Sequence, residues 1–313
     1  MAGHLNSAGS AADNRFKLMQ WNAHSINTHK IELQQYLATN NGSQPDVICI
    51  QETYLKPDKQ FKFNGYEIFR KDRANDRMGG GVVTLVRSNI NAVQLKAPDS
   101  IECIGIKLTV NNKPLLIYNI YNPPQVNIDY EIYKPFFENK NTIITGDLNA
   151  KNTLWRSSKT NKSGEILEQL LINNNFTVLN TGQPTYQCQN GGLSHLDLTL
   201  TSNSMALKCS WFTINNTLGS DHQPTFTILN EIPDETEPGS KWNLNKADWL
   251  QYTENCKNIF KNWNHTVTDS GKYFNKIVTS INEAATKAIP KSKPRKGKKI
   301  PKKLPYWNDR CRQ

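Results

Sequence analysis

The stretch Ile143-Ile144-Thr145-Gly146-Asp147-Leu148-Asn149-Ala150 joins an apolar run to a glycine, an acid and an amide. β-Branched residues suit a covered, pleated surface, so Ile143 and Ile144 predict the end of a buried strand. Gly146 allows the backbone to turn there without steric cost. Alternation along an extended chain would point Asp147 and Asn149 the same way, into a cleft. A polar turn explains the same residues, because Gly, Asp and Asn favour turns. The rest of the chain decides between these interpretations.

Apolar alternation along the chain predicts about ten short strands and few helices. Besides the Ile143 strand, the predicted strands cover residues 16–21, 46–51, 66–69, 82–86, 101–110, 114–121, 176–179, 196–200 and 223–229. The first predicted helix begins after Thr28, which is its N-cap. Two further predicted helices cover residues 130–139 and 163–174. Short turns join several strands and helices lie between others. This pattern indicates two stacked sheets flanked by helices, an α/β sandwich rather than a doubly wound parallel sheet.

Changes of composition predict how the chain is divided. We expect a disordered leader at 1–14, a globular domain at 15–230, an acidic, proline-bounded linker at 231–240, a small helical extension at 241–289 and a basic tail at 290–313. Eight cations without an intervening acid lie in the tail: Lys291, Lys293, Arg295, Lys296, Lys298, Lys299, Lys302 and Lys303. Without these eight charges the formal net charge of +11 would be +3. Such a tail fits a polyanion, most often nucleic acid, and a solvated linker or a nuclear-import run fits equally well.

Cysteine usage and hydropathy exclude several classes of protein. The six cysteines contain no Cys-x-x-Cys pair, which argues against a zinc cluster. Cys49 and Cys103 lie in apolar runs and predict reduced core cysteines in an intracellular protein. No apolar run approaches the roughly 20 residues that span a bilayer, so we expect no membrane partner. The start of the chain lacks a basic segment followed by an apolar one, and we expect no signal peptide.

Polar side chains recur where predicted strands stop: Asn22, Glu52, Tyr121, Asp147, Asn149, Asp197, Asp221 and His222. Each one alone is explained by a cap, a turn or a surface acid. Asp197 is the hardest to explain in that way, because a carboxylate between Leu196 and Leu198 needs a partner when it is buried. Taken together, the eight positions favour a single cleft.

The residue types in this predicted cleft suit attack on a phosphodiester. Asn22 and Glu52 can hold a hard divalent cation through oxygen, since Mg²⁺ needs only one or two carboxylates beside phosphate and water. Asp147 can take the proton of an attacking water that Asn149 orients.

The remaining groups can stabilise the phosphate. His222, kept cationic by Asp197, can donate to the phosphate oxygens as negative charge develops. Tyr121 can donate to the same phosphate. No nucleophile elbow is visible, so covalent catalysis is not indicated.

An ordered set of motifs covers roughly residues 16–229: Trp21-Asn22, Gln51-Glu52-Thr53, Gly79-Gly80-Gly81-Val82, Tyr121-Asn122-Pro123-Pro124, Gly146-Asp147-Leu148-Asn149-Ala150, Trp155, His195-Leu196-Asp197 and Ser220-Asp221-His222. Any one motif is weak, but the ordered set is specific. It resembles the endonuclease/exonuclease/phosphatase superfamily. Within that superfamily it is similar to the apurinic-type endonuclease domain of non-LTR (LINE-type) retrotransposon polyproteins of the jockey and related insect-type clades.

The resemblance implies a four-layer, DNase I-like α/β sandwich at residues 15–230. It also implies Mg²⁺ dependence, with Mn²⁺ as an alternative ion, and nicking of one strand of double-stranded DNA. The 3′-hydroxyl left by the nick would prime reverse transcription of the element's RNA. By motif, the resemblance implies that Glu52 binds the metal, with Asn22 and Asp221 near the ion, and that Asp147 and Asn149 activate the water. It also implies that Asp197 and His222 form an acid–histidine pair and that Tyr121 contacts the phosphate.

Residues after Trp242 resemble the segment between such nucleases and their reverse transcriptase, and Tyr306-Trp307-Asn308-Asp309 is similar to the tryptophan motif of that segment. We therefore expect a fragment of such a polyprotein or a degenerate copy. We expect synthesis in the cytoplasm and action on chromosomal DNA in the nucleus. The element's RNA is a second candidate partner of the basic tail, and the sequence does not indicate an oligomeric state.

Loops at the cleft rim are expected to select the target. Residues 187–194 form a candidate groove-probing hairpin that is short and uncharged, so we expect weak base readout and selection through DNA deformability. Predicted DNA contacts are Arg73, Arg77, Lys151, Trp155 and Arg156, and a solvated surface explains each cation equally well. Arg156 occupies a position at which relatives often have glycine.

Two other functions compete with a DNA endonuclease. The first is a phosphatase or phospholipase of the same superfamily, because one fold hosts several substrates. The basic tail and the retroelement-like linker weigh against it. The second is a decayed DNA-binding module, which is disfavoured because every expected catalytic position is occupied.

Overall fold

The computed structural model describes residues 14–39, 44–73, 79–188, 190–234, 242–261 and 270–291, with only the backbone for 270–275. The chain divides into two compact units, Met1–Thr236 and Glu237–Gln313. The predicted linker at 231–240 contains this boundary, and the predicted domain limits stay predictions.

The described residues form fourteen strands and six α-helices. The strands are β1 (Phe16–Asn22), β2 (Val47–Gln51), β3 (Tyr66–Lys71), β4 (Val82–Arg87), β5 (Val93–Leu95), β6 (Glu102–Val110), β7 (Lys113–Tyr121), β8 (Thr142–Asp147), β9 (Phe176–Val178), β10 (Tyr186–Gln187), β11 (Leu193–Ser194), β12 (Asp197–Ser202), β13 (Cys209–Thr213) and β14 (Thr225–Leu229). The helices are α1 (Ile26–Thr39), α2 (Tyr130–Tyr133), α3 (Lys162–Asn174), α4 (Asn203–Ala206), α5 (Trp249–Lys261) and α6 (Ser270–Ala288).

Two mixed sheets of six strands each dominate the first unit. One has the order β13-β14-β1-β2-β4-β3, and the other β5-β6-β7-β8-β12-β9. Within each sheet one neighbouring pair is parallel, β1 with β2 and β7 with β8, and the other pairs are antiparallel. The strands β10 and β11 form a separate hairpin.

Alternation of side chains explains why the sheets stack. On β1, Leu18 is buried in a cluster with Ile106 and Ile117 of the facing sheet, whereas Met19 is buried with Leu33 of α1. Strand residues that alternate in this way cover both faces of a sheet. Leu167 and Leu170 of α3 pack on the outer face of the second sheet, in one cluster with Ile144 of β8 and Leu198 of β12. The predicted four-layer α/β sandwich is therefore confirmed.

Several local predictions need correction. The helix predicted after Thr28 begins at Ile26, whose backbone N–H donates to the carbonyl of Thr53, so Thr28 lies in the first turn instead of capping it. The helix predicted at 130–139 is only α2 followed by a 3₁₀ turn, Lys134–Phe137, that contains Pro135. Proline lacks an N–H and disfavours a continuing α-helix. The strands β5 and β13 were not predicted, because they are short or largely exposed, and β10 and β11 were predicted only as the hairpin at 187–194.

The second unit contains α5 and α6, which lie in the stretch predicted as a small helical extension. Ala285, Ala288 and Ile289 are buried there against Trp242 and Tyr252. The basic tail beyond Lys291, the 306–309 motif and residues 1–13 of the predicted leader lie outside the described residues. Among the described helices, none has the length and apolar character that crossing a bilayer requires. Cys49 and Cys103 are buried and unpaired, as predicted for core cysteines.

Candidate active site

Strand ends from both sheets meet at one end of the sandwich. β1 ends at Asn22, which is paired with Gln51 at the end of β2. In the other sheet Tyr121 is paired with Asp147, and Asp147 is paired with Asp197 on the far side. Because neighbouring strands place these residues at matching positions, polar groups that are distant in sequence lie side by side.

Asn22 links the acids of the two sheets. Its Nδ2 atom donates to Oε1 of Glu52 at 3.0 Å and to Oδ2 of Asp147 at 2.9 Å. Its Oδ1 atom accepts from the backbone N–H of His24 at 3.1 Å. Asn22 is fully buried. The predicted metal-binding acid and the predicted water activator therefore share one amide.

Glu52 is held in an uncommon backbone conformation, with φ +47°. The hydroxyl of Tyr54, itself at φ +53°, donates to Oε2 of Glu52 at 2.7 Å. Burial, followed by this hydrogen bond and the charge of Glu52, raises the pKa of Tyr54, which therefore stays protonated as a donor. A left-handed backbone conformation costs free energy at any residue other than glycine, and residues held in it cluster at functional sites. Sequence reasoning did not identify Tyr54, since an aromatic two positions after an acid carries no distinctive signal.

Asp147 is 2% exposed and ends β8. Burial is the main cause that raises the pKa of this carboxyl, to about 7, and the charges of Asp197 and Glu52 raise it as well. The charge of His222 and the hydrogen bond from Asn22 act in the opposite direction. A pKa close to the working pH suits a group that accepts a proton during a reaction.

Asn149 reaches Asp147 by a route that differs from the prediction. Asn149 has φ +47° instead of an extended conformation, and its backbone N–H donates to Oδ1 of Asp147 at 3.2 Å. A turn, not alternation, therefore brings the Asn149 backbone to the Asp147 carboxylate, and Nδ2 of Asn149 donates to the carbonyl of Asn122 at 3.1 Å. Gly146 lies within β8 and does not end it, and a Cβ there would be 1.8 Å from the carbonyl oxygen of Ile120. Glycine is required by this close approach of β7.

Asp197 and His222 form a buried pair. Oδ2 of Asp197 lies 2.7 Å from Nδ1 of His222, and both side chains are almost completely buried. Burial alone would lower the pKa of His222, but the charge and hydrogen bond of Asp197 outweigh it and raise that pKa to about 9. The imidazole is therefore cationic at neutral pH, with Nδ1 bonded to Asp197.

Tyr121 and Arg73 lie together at the end of β7. Burial, then the charges of Glu52 and Asp147, raise the pKa of Tyr121, so its hydroxyl remains a donor. The guanidinium carbon of Arg73 is 5.7 Å from the centre of the Tyr121 ring, and its Nε donates to Glu102 at 2.6 Å. Arg73 is therefore held beside the candidate site by an acid and a ring.

The donor set of the site suits a hard cation. Glu52, Asn22 and Asp221 offer only oxygen atoms to an ion, and the Asp221 side chain is 36% exposed and linked through Ser220 to the carbonyl of Asn22. Among the described residues, no group of three or more His, Cys, Asp or Glu side chains is arranged to hold an ion by itself. Mg²⁺ commonly takes one or two carboxylates and completes its shell with water and phosphate, so these residues fit it.

The predicted rim residues differ in their surroundings. Lys151 is partly exposed and Arg156 is exposed. Arg156 has φ +66°, which explains why glycine suits this position. Trp155 is 3% exposed and its Nε1–H donates to the carbonyl of Ala150 at 2.9 Å. This buried side chain packs within the loop, and the prediction that Trp155 contacts DNA stays a prediction. Arg77 lies outside the described residues.

The predicted hairpin at 187–194 is formed by β10 and β11, with residue 189 outside the described part of the chain. The ring of Tyr186 packs against that of His222, with centres 4.8 Å apart. Backbone hydrogen bonds link Gln187 to Asp221 and Gln223 to Thr185. The hairpin is therefore anchored directly beside the Asp197–His222 pair.

Known proteins resemble this chain in sequence and in fold. Residues 115–226 match the family model described as endonuclease-reverse transcriptase. The RNA-directed DNA polymerase from mobile element jockey of Drosophila funebris is 24% identical over 231 residues, which are 72% of this chain and 25% of that protein. The chain spans about a quarter of the length of the curated relatives it matches.

Two solved structures share the sandwich. The endonuclease domain of TRAS1, a telomere-specific non-LTR retrotransposon, superimposes with a TM-score of 0.58 at 20% identity and covers 69% of this chain and 98% of that chain. The AP endonuclease LMAP from Leishmania major gives a TM-score of 0.58 at 15% identity and covers 69% and 88%. These likenesses agree with the four-layer architecture.

Proposed function

We propose that the chain belongs to the endonuclease/exonuclease/phosphatase superfamily, as a domain of the non-LTR retrotransposon endonuclease kind, and that it nicks one strand of duplex DNA. The reaction breaks the P–O3′ bond of a phosphodiester and leaves a 5′-phosphate and a 3′-hydroxyl. The observation that carries the proposal is the convergence of Glu52, Asp147 and the Asp197–His222 pair at one end of both sheets.

Asp147 is the proposed acceptor of the water proton. The water oxygen attacks phosphorus, its proton passes to Asp147, and the departing O3′ takes up a proton from solvent. Asn149, fixed against Asp147 by its backbone N–H, orients the water. The cationic His222 donates through Nε2 to a phosphate oxygen as negative charge develops there, and the Tyr121 hydroxyl donates to the same phosphate.

A divalent cation is part of the proposal. Glu52, with Asn22 and Asp221 beside it, would hold Mg²⁺, with Mn²⁺ as an alternative. When bound, the ion supplies positive charge to the phosphate oxygens of the transition state.

The wider role follows from the relatives. Their description as RNA-directed DNA polymerases supports a function in which the 3′-hydroxyl primes reverse transcription of an element's RNA. We propose action on chromosomal DNA in the nucleus after synthesis in the cytoplasm, with the basic tail contacting DNA or the element's RNA.

The test is nicking of supercoiled plasmid with Mg²⁺ by the full chain and by Asp147→Asn. We expect the variant to nick about 100- to 10,000-fold more slowly, the range that positioned proton transfer contributes. The matched control is Asp46→Asn. Asp46 is 3% exposed, accepts from the N–H of Lys17 at 2.8 Å and pairs with Arg87 at 3.1 Å, next to the opposite end of β2. It should lose stability and keep its nicking rate.

Two outcomes would contradict the proposal. If the full chain releases phosphate from small esters and leaves plasmid intact, the phosphatase or phospholipase alternative holds. If it binds DNA and hydrolyses nothing, the chain is a decayed binding module. Unchanged nicking by Asp147→Asn would remove Asp147 as the proton acceptor.

A further inference from the structure

Gln20 is a polar residue on the inward face of β1, where the alternation calls for an apolar one. Leu18 on the same face is buried in the core between the sheets, and Asn22 on that face reaches Glu52 and Asp147. Gln20 is 1% exposed. A buried amide needs hydrogen-bond partners for both of its N–H groups and its oxygen, so its position has to be explained by what it contacts.

The Gln20 amide is bonded on all sides. Nε2 donates to Oδ1 of Asp197 at 2.7 Å and to Oε1 of Gln51 at 2.8 Å, and Oε1 accepts from the Thr225 hydroxyl at 2.9 Å. A flipped amide would set its oxygen against a carboxylate and against another carbonyl oxygen. The N–H groups of Gln20 can therefore point only toward Asp197 and Gln51.

The second amide, Gln51, is fixed in turn. Its Nε2 donates to Oδ1 of Asn119 at 2.6 Å, and Nδ2 of Asn119 donates to the carbonyl of Val83 at 2.9 Å. Gln51 and Asn119 are fully buried. Gln20 thus donates in two directions: one N–H starts a chain of amides that runs through Gln51 and Asn119 to the carbonyl of Val83, and the other is bonded to one oxygen of Asp197.

We propose that Gln20 is a positioning residue that fixes the carboxylate of Asp197, so that its other oxygen holds Nδ1 of His222 and aims Nε2 at the cleft. Oδ1 of Asp197 is taken by Gln20 and Oδ2 lies 2.7 Å from His222. Without the Gln20 donor, Oδ1 would be buried without that partner and the carboxylate could rotate to bond elsewhere. This inference rests on the proposed nicking reaction, in which His222 stabilises the phosphate.

The experiment is a double-mutant cycle on plasmid nicking with Gln20→Met, Asp197→Ala and both changes together. Met has a similar length and no donor. We expect Gln20→Met to lower kcat about 10- to 100-fold, as loss of partners that orient a functional group commonly does, with KM changed less than about twofold. In the Asp197→Ala background the same change should cost less than about twofold, because the residue acts through Asp197.

A matched control separates positioning from packing. Thr201 lies near the opposite end of β12, is fully buried and donates to the carbonyl of Thr142 at 2.7 Å. Thr201→Val removes a buried hydrogen bond without touching Asp197 and should lower the melting temperature while kcat is kept. Equal losses of kcat from Gln20→Met in both backgrounds, or no loss in the unsubstituted chain, would overturn the inference.

A second measurement does not depend on nicking. The Nδ1 proton of His222 should give a low-field NMR resonance that Gln20→Met shifts or broadens and Thr201→Val leaves in place. If the full chain does not nick, the proposed function fails and this resonance still decides the role of Gln20. A resonance unaffected by Gln20→Met would overturn the positioning role even in an active enzyme.

Discussion

At the scale of single residues, Glu52 shows how backbone and side chain combine in the candidate site. A left-handed φ places its carboxylate where Asn22 donates to one oxygen and Tyr54 to the other. Two neutral donors orient the acid without cancelling its charge. The negative charge is therefore kept for the cation that we propose Glu52 binds.

Glu52→Gln keeps the size of this side chain and removes its charge. Loss of partners that only orient a ligand costs about 10- to 100-fold in metal affinity, so loss of the carboxylate itself should raise the half-saturating Mg²⁺ concentration for nicking by at least about 10-fold. A Mg²⁺ titration of nicking measures this. Glu67→Gln, at an exposed acid of β3, is the control, and equal Mg²⁺ requirements for the two variants would remove Glu52 from the metal site.

Residue chemistry made part of this site predictable. Asp147 and His222 could be identified because acids and imidazoles at strand ends are unusual enough to be noticed. Gln20 could not, because its partner Asp197 is distant in sequence and only the stacking of the sheets brings the two together. The left-handed conformation of Asn149 was equally hidden, since asparagine is compatible with both extended and left-handed backbone.

At the scale of elements, the beginning of α3 supports the loop that carries Asn149. Asn161 caps this helix by accepting from the N–H of Gly164 at 2.8 Å, and it also accepts from the N–H of Lys151 at 2.9 Å. Its Nδ2 donates to the carbonyl of Asn149 at 2.9 Å. One side chain therefore ends the loop, starts the helix and holds the proposed water-orienting residue.

Asn161→Ala should lower the free energy of unfolding by about 1 kcal/mol, the usual cost of losing such a cap. We expect the nicking rate to fall as well, because the loop at Asn149 loses its support. Asp129→Ala removes the cap of α2 and is the comparison, with a similar loss of stability and the original rate. Urea unfolding measures the stability of each variant and plasmid nicking measures its activity. Equal nicking rates for the two variants would mean that the start of α3 does not support the site.

Elements were predicted best where burial was strong. β1, β2 and β8 are fully buried. The bounds of β1 and β2 were predicted to within one residue, whereas β8 continues through Gly146 to Asp147, three residues beyond the predicted end at Ile144. The exposed hairpin strands β10 and β11 have two residues each and carry no periodic signal, so their pairing depends on contacts with neighbouring loops.

At the scale of the whole molecule, the sequence concentrates positive charge in the tail, beyond the described residues. Seven of the eight tail cations follow Lys291, which is bridged to Trp242 within the second unit. A chain ending at Lys291 therefore removes those seven cations together with Arg310 and Arg312, nine in all, and keeps the described part of the second unit intact. This is a better place to stop than Ile289, which is 6% exposed and packed in that unit's core.

If the tail contacts the DNA backbone, the chain ending at Lys291 should bind duplex DNA more weakly and depend less on salt. Each phosphate neutralised contributes about 0.9 to the slope of log K against log salt concentration, so loss of all nine cations would reduce the slope by up to about 8. A full-length variant with these nine cations replaced by glutamine should match the shortened chain, whereas a full-length variant whose tail lysines are replaced by arginine should keep the original slope. Binding isotherms at several salt concentrations give these slopes. Identical slopes for the full and shortened chains would mean that the tail does not touch DNA. The DNA affinity would then have to come from residues around the candidate active site, where Lys151 and Arg156 are accessible.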